Sequence, residues 1–156
     1  MEEDKLTKEL LVMGGVYIGL EFASYYANFG SKMTIIQDSN DFIPREDAEI
    51  AESVYASMTN KGIRILKNTK ILKVSSSEDK VFLNVEVDGK SEVISGNALL
   101  VATGRRPNIN DLHLENTDIQ ISNRSNIITN EFKETNVAGL FATGDVTNAL
   151  QFTYFS

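Results

Sequence analysis

The sequence predicts an α/β fold in three layers: a parallel sheet flanked by helices, with an antiparallel β-meander on one face. Three observations lead there. A short apolar run, "LLVM", ends at Gly14-Gly15 and is followed by a helical pattern and a second apolar run. Between residues 70 and 94 apolar and polar residues alternate around Asp88-Gly89. A wholly apolar stretch, "ALLVATG" (98–104), then restores the pattern of a buried strand.

Taken in order, Leu10 to Met13 reads as a buried strand meeting a turn. From Tyr17 the apolar residues Ile18, Phe22, Tyr25, Tyr26 and Phe29 recur at helical spacing, and Gly30 stops the helix. "KMTIIQD" (32–38) is a second strand, so these pieces form a βαβ unit with parallel pairing. Asp47 to Asn60 is a second helix, with Ile50, Val54 and Met58 on one face and Gly62 beyond its end. "IRIL" (63–66) is another short strand. "KILKV", "KVFLNVEVDG" and "SEVI" form the meander, and Asp88-Gly89 marks a hairpin. Residues 105 to 136 read mostly as loop and short strands, and "GLFATGD" (139–145) as one more buried strand.

Composition narrows the function. The net charge of −7, without a Lys/Arg cluster, argues against nucleic acid and anionic membranes as partners. No apolar run approaches a membrane span, and the charged start is unlike a signal peptide, so a cytoplasmic protein is expected. Cysteine is absent, which removes disulfides, thiolate metal sites and thiol catalysis within these 156 residues. The single histidine, His113, has no second ligand type at metal-binding spacing and reads as a surface or loop residue.

The turn at 14–19 carries the chemistry. A pyrophosphate sits well at a helix N-terminus, where backbone N–H groups and the helix dipole converge. The dinucleotide fingerprint uses a first glycine for the tight turn, a second for close approach of phosphate and a third for helix–strand packing. Gly14 and Gly19 fill the first and third roles, while Val16 stands in the second with Gly15 just before it. Gln37, 23 positions beyond Gly14, occupies the ribose-reading position and is followed by Asp38. An amide can bond ribose hydroxyls but cannot pair with a 2′-phosphate, and Asp38 would repel one. The pattern therefore favours NADH over NADPH.

"GGVYIGLEFA", "FIPRED", "LLVATGRRPN" and "GLFATGDVTNALQFTY" together resemble the pyridine nucleotide–disulfide oxidoreductases of the glutathione reductase, lipoamide dehydrogenase and mercuric reductase type. Within them the similarity is greatest to flavoproteins of the hypothiocyanous acid reductase kind. The resemblance implies a Rossmann-like, dinucleotide-binding domain over residues 1–136. It implies the start of a returning FAD-domain segment over 137–156. It further implies that Gly14, Gly15, Val16, Tyr17, Ile18 and Gly19 cradle the NAD(P)H pyrophosphate, with Gln37 at the ribose. Tyr17 matches the tyrosine that covers the flavin face and swings away from an entering nicotinamide. Glu21 matches the glutamate that pairs with a flavin-side lysine; these two are the catalytic candidates. Gly104 matches a glycine approaching the dinucleotide, Asp145 an aspartate that holds FAD, and "LQFTY" (150–154) a segment beside the flavin. Plainer readings stay open: Tyr17 as helix surface, Glu21 as a first-turn charge favoured by the dipole, Asp145 as a turn former.

Such enzymes pass hydride from NAD(P)H to FAD and on to a disulfide-like or small oxidised acceptor, as homodimers. The resemblance covers only the middle of the family's chain. The cysteine pair and the C-terminal His–Glu pair fall outside it, so these residues are expected not to turn over by themselves. Two alternatives accompany this reading: an inactive remnant or ligand-free interaction domain, and a domain of an NADH oxidase or peroxidase-type flavoprotein.

Overall fold

The computed structural model describes residues 6–147, which fall into two compact units divided between Gly104 and Arg105. The first unit holds β1 (Glu9–Met13), α1 (Tyr17–Asn28), β2 (Lys32–Ile36) and α2 (Ala48–Asn60). It continues with β3 (Arg64–Leu66), β4 (Thr69–Ser77), β5 (Lys80–Val87), β6 (Lys90–Gly96) and β7 (Ala98–Val101). The four parallel strands run in the order β3-β2-β1-β7. The antiparallel sheet runs β4-β5-β6.

Strand alternation builds the three layers. Leu10 and Val12 of β1, with Met33 and Ile35 of β2, pack against Leu20 and Ala23 of α1 and Met58 of α2. Leu11, one residue out of phase, joins Ile36 and packs against Leu83, Val85 and Ile94 of the meander. A side-chain period of two thus sends successive residues of one strand into two different cores. Each fully buried aliphatic side chain stabilises by roughly 1.5–3 kcal/mol.

α1 packs most closely through one short face. Its buried positions are Gly19, Leu20 and Ala23, whereas Tyr25 and Phe29 lie more than half exposed, with rings 4.9 Å apart. The helix ends on a pair of reversed bonds: Ser31 N–H donates to Tyr26 C=O and Gly30 N–H to Ala27 C=O. Gly30 takes the left-handed conformation that this cap requires. In the meander, Asp88 and Gly89 both have positive φ, as the two-residue hairpin demands.

β7 pairs only with β1 and forms an edge of the described parallel sheet, leaving Val101 exposed. The full burial expected from its composition is therefore only partial. The second unit has a small core of Ile109, Ile127 and Ala142, with short 3-10 turns at Asn110–Leu112, Leu114–Asn116 and Gly144–Val146. The buried strand expected at 139–145 is not formed. The segment makes one isolated bridge, Glu134 to Phe141, and Leu140 and Phe141 are exposed. An apolar run without partners on both sides has no ladder to join. "LQFTY" (150–154) lies outside the described residues.

Candidate functional site

The glycine turn leaves the carboxyl end of the central strand. Gly14 N–H continues the sheet by donating to Ile36 C=O at 2.9 Å, and Ala102 N–H donates to Met13 C=O at 2.8 Å. Gly14 has φ 104°, and a Cβ there would collide with the Ala102 carbonyl at the end of β7. A Cβ on Gly19 would collide with the Gly14 carbonyl and come to 3.2 Å from Val12 Cγ1. The two glycines do what the fingerprint asks, a tight turn and close helix–strand packing.

Val16 is the N-cap residue of α1, extended at φ −113° and ψ −177°, with no side-chain cap bond. A valine adopts that backbone without strain. Its departure from the fingerprint therefore puts no strain on the backbone. The first intrahelical bond runs from Leu20 N–H to Val16 C=O, so the preceding amides form the dipole's positive end. The first turn carries no acidic residue, and an anion there meets no carboxylate of the helix itself. Glu21 lies exposed in the second turn, which removes the first-turn dipole reading of it. Ile18 is also exposed, at 39%.

Gln37 is buried just past β2, and its amide ties two loops together. Its Oε1 accepts Gly15 N–H at 2.7 Å, while its Nε2 donates to Ser39 Oγ at 2.8 Å. Ser39 Oγ in turn donates to Asp41 C=O. The backbone donor at Gly15 fixes which end of the amide faces the turn. A carboxylate could accept from Gly15 but could not donate to Ser39.

Tyr17 opens α1 and its hydroxyl donates to Glu46 Oε1. That bond, together with burial and the charge of Glu46, raises the phenol above its ordinary value of 10.0, and Arg45 opposes the shift. Tyr17, Glu21 and Glu46 line an open groove of about 580 Å³ between α1, α2 and the loop joining β2 to α2, floored by Leu20, Ile43 and Met58. Ser39 carries no local signal in the sequence, and Glu46 stands in "FIPRED", which carries the resemblance but does not point to this pairing. Each acquires its role from a partner brought close by the fold.

Gly104 ends the first unit at φ 135°, with open space where a Cβ would stand. Asp145, in the second unit, forms an ion pair with Arg105, Oδ2 to Nη1 at 3.7 Å. His113 is an exposed loop residue at φ 50° with Glu115 beside it at 3.1 Å. Among the described residues no group of three His, Asp or Glu side chains could hold a metal ion, and no helix is long and apolar enough to cross a membrane.

Fold and turn together define a three-layer, Rossmann-like α/β protein with a glycine-rich strand–helix turn at the carboxyl end of its parallel sheet. The chain belongs to the pyridine nucleotide-disulphide oxidoreductase family, whose model matches residues 1–155. It is 39% identical over 152 residues to the probable pyridine nucleotide-disulfide oxidoreductase RclA of Escherichia coli, covering 97% of this chain and 34% of that protein. It is 36% identical to a mercuric reductase of Lysinibacillus sphaericus, covering 99% of this chain and 28% of the other. Among solved structures, the HOCl-induced flavoprotein disulfide reductase RclA from Escherichia coli superposes with a TM-score of 0.88 at 37% identity, covering 99% of this chain and 34% of that one. The chain thus spans about a third of the length of these relatives.

Proposed function

We propose that this chain is the NAD(P)H-binding domain of an FAD-dependent oxidoreductase, with residues 1–136 holding the dinucleotide and 137–156 beginning the returning FAD segment. The observation that carries the reading is the turn itself. Gly14 closes on Ala102 and Gly19 on Gly14, so that α1 begins at the strand ends with no acidic residue in its own first turn. The turn from Gly14 to Gly19 would hold the pyrophosphate, Gln37 and Gly104 would border the adenosine and nicotinamide halves, and Asp145 would hold FAD. When bound, the nicotinamide supplies a hydride and the flavin accepts it. The chain's own part is to bind, to orient, and through Tyr17 and Glu21 to shape the face on which the two cofactors meet. Family membership and the conserved fold support this reading, and the acceptor would be a disulfide-like or small oxidised molecule.

NADH rather than NADPH is the proposed ligand, because Gln37 is neutral and Asp38 follows it. A ligand-free interaction role is the competing reading. It is favoured by one observation: Gly15 N–H is already committed to Gln37. Titration calorimetry of the chain with NADH and NADPH separates the two. Saturable heat, larger in affinity for NADH, is expected; no heat with either at millimolar ligand overturns the proposal.

A further inference from the structure

Gln37 stands as a fixed post beside the glycine turn. Its backbone is pinned on both sides: Gln37 N–H donates to Leu66 C=O at 2.8 Å, and Gln37 C=O accepts Thr69 N–H at 2.9 Å. Its side chain is buried at 6% exposure, and both ends of the carboxamide are engaged. Ser39 sets the direction of that amide. The Ser39 hydroxyl has one proton, which goes to Asp41 C=O, so its oxygen accepts from Gln37 Nε2 and Oε1 is left turned to the Gly15 N–H. The fit is close: a Cβ on Gly15 would stand 3.1 Å from Oε1 and 3.2 Å from Ile35 Cγ2.

A side chain that reads ribose hydroxyls has to offer its polar atoms to the ligand. The Gln37 amide is instead enclosed and spent on the protein. Gly15 immediately precedes Val16, the N-cap of α1, so fixing the Gly15 peptide fixes the start of the helix whose positive end would meet an anion. We propose that Gln37 is a positioning residue for the glycine turn: it acts on a bound dinucleotide through Gly15 and the pyrophosphate, not by reading the ribose hydroxyls. The inference rests on the dinucleotide reading above.

The test separates the phosphates from the ribose. The full chain is titrated by calorimetry with ADP and with 2′,3′-dideoxy-ADP, as wild type and as Gln37→Met. Methionine keeps the reach of the side chain and drops both hydrogen bonds. Both probes carry the pyrophosphate, and only ADP carries the hydroxyls. Gln37→Met should weaken the two by the same factor, about three- to tenfold, the worth of one buried hydrogen bond. A loss confined to ADP would make Gln37 a ribose reader and overturn the positioning role, as would no loss with either probe. A second readout needs no ligand: hydrogen exchange of the Gly15 amide by NMR, with the Gly14 amide, bonded to Ile36 C=O, as the internal reference. Gly15 should exchange about tenfold faster in Gln37→Met while Gly14 holds, and should stay protected in Gln37→Glu, which keeps an acceptor. Unchanged Gly15 exchange in Gln37→Met, equal acceleration at both glycines, or equal loss in Gln37→Glu overturns the hold. Absence of binding of either probe to wild type overturns the dinucleotide reading and the action on phosphate with it, while the exchange result separately decides whether Gln37 holds the turn.

Discussion

The backbone N–H of Gly15 donates to Oε1 of Gln37 across 2.7 Å, joining the turn after β1 to the end of β2. Both partners are buried, so the bond has no ready substitute from water. Gln37→Leu should therefore lower stability by about 1–3 kcal/mol, the cost of leaving a buried donor unmet. Urea unfolding of the two proteins measures this, and a difference under a few tenths of a kcal/mol would show the tie to be idle.

The two structural glycines of the turn should differ sharply from the glycine that caps α1. Gly19→Ala places a methyl against the Gly14 carbonyl and should cost about 2–4 kcal/mol, because backbone must move. Gly30→Ala meets open space and carries only the left-handed penalty of about 1–2 kcal/mol. Thermal unfolding of both variants ranks them. A larger loss from Gly30→Ala would contradict the packing described for α1.

Tyr17 gives the fold a pH signature. Its folded-state pKa is raised by the bond to Glu46, so its stabilising contribution is complete below the ordinary tyrosine value of 10.0. It is lost as pH rises from there through the raised folded value. The stability difference between wild type and Tyr17→Phe should hold steady from neutrality to about pH 9 and shrink above pH 10. Chemical unfolding at a series of pH values reads it directly.

Val16 sits in ordinary extended backbone, so Val16→Gly should cost little, roughly 0.5–1 kcal/mol of added chain entropy. If the turn holds the dinucleotide as proposed, affinity for NADH should rise about tenfold, since the fingerprint places a glycine at this position for close approach of phosphate. Calorimetry on the pair decides; equal affinities would mean that the valine is accommodated.

Much of the first unit was legible in the residues. The strand–glycine–helix–strand order predicted parallel pairing of β1 with β2, and Asp88-Gly89 predicted the hairpin that the structure contains. Local pattern failed where tertiary context decides. The apolar residues of α1 recur at helical spacing, yet the residues the helix buries fully are Gly19, Leu20 and Ala23, while Tyr17 and Tyr26 pack against the core only in part. "GLFATGD" looked like a buried strand and is not one, since strand formation depends on neighbours that composition does not reveal. The ties Gly15–Gln37 and Tyr17–Glu46 link residues 22 and 29 apart. No short-range signal encodes such pairs; only the folded turn brings them together.

The central claim is that the Gly14–Gly19 turn receives a dinucleotide. Amide-resolved NMR of the chain during titration with NADH tests it most directly. The largest shifts are expected at the amides from Gly14 to Gly19 and at Gln37, saturating together. Shifts absent at millimolar NADH, or confined to residues away from that turn, would contradict it.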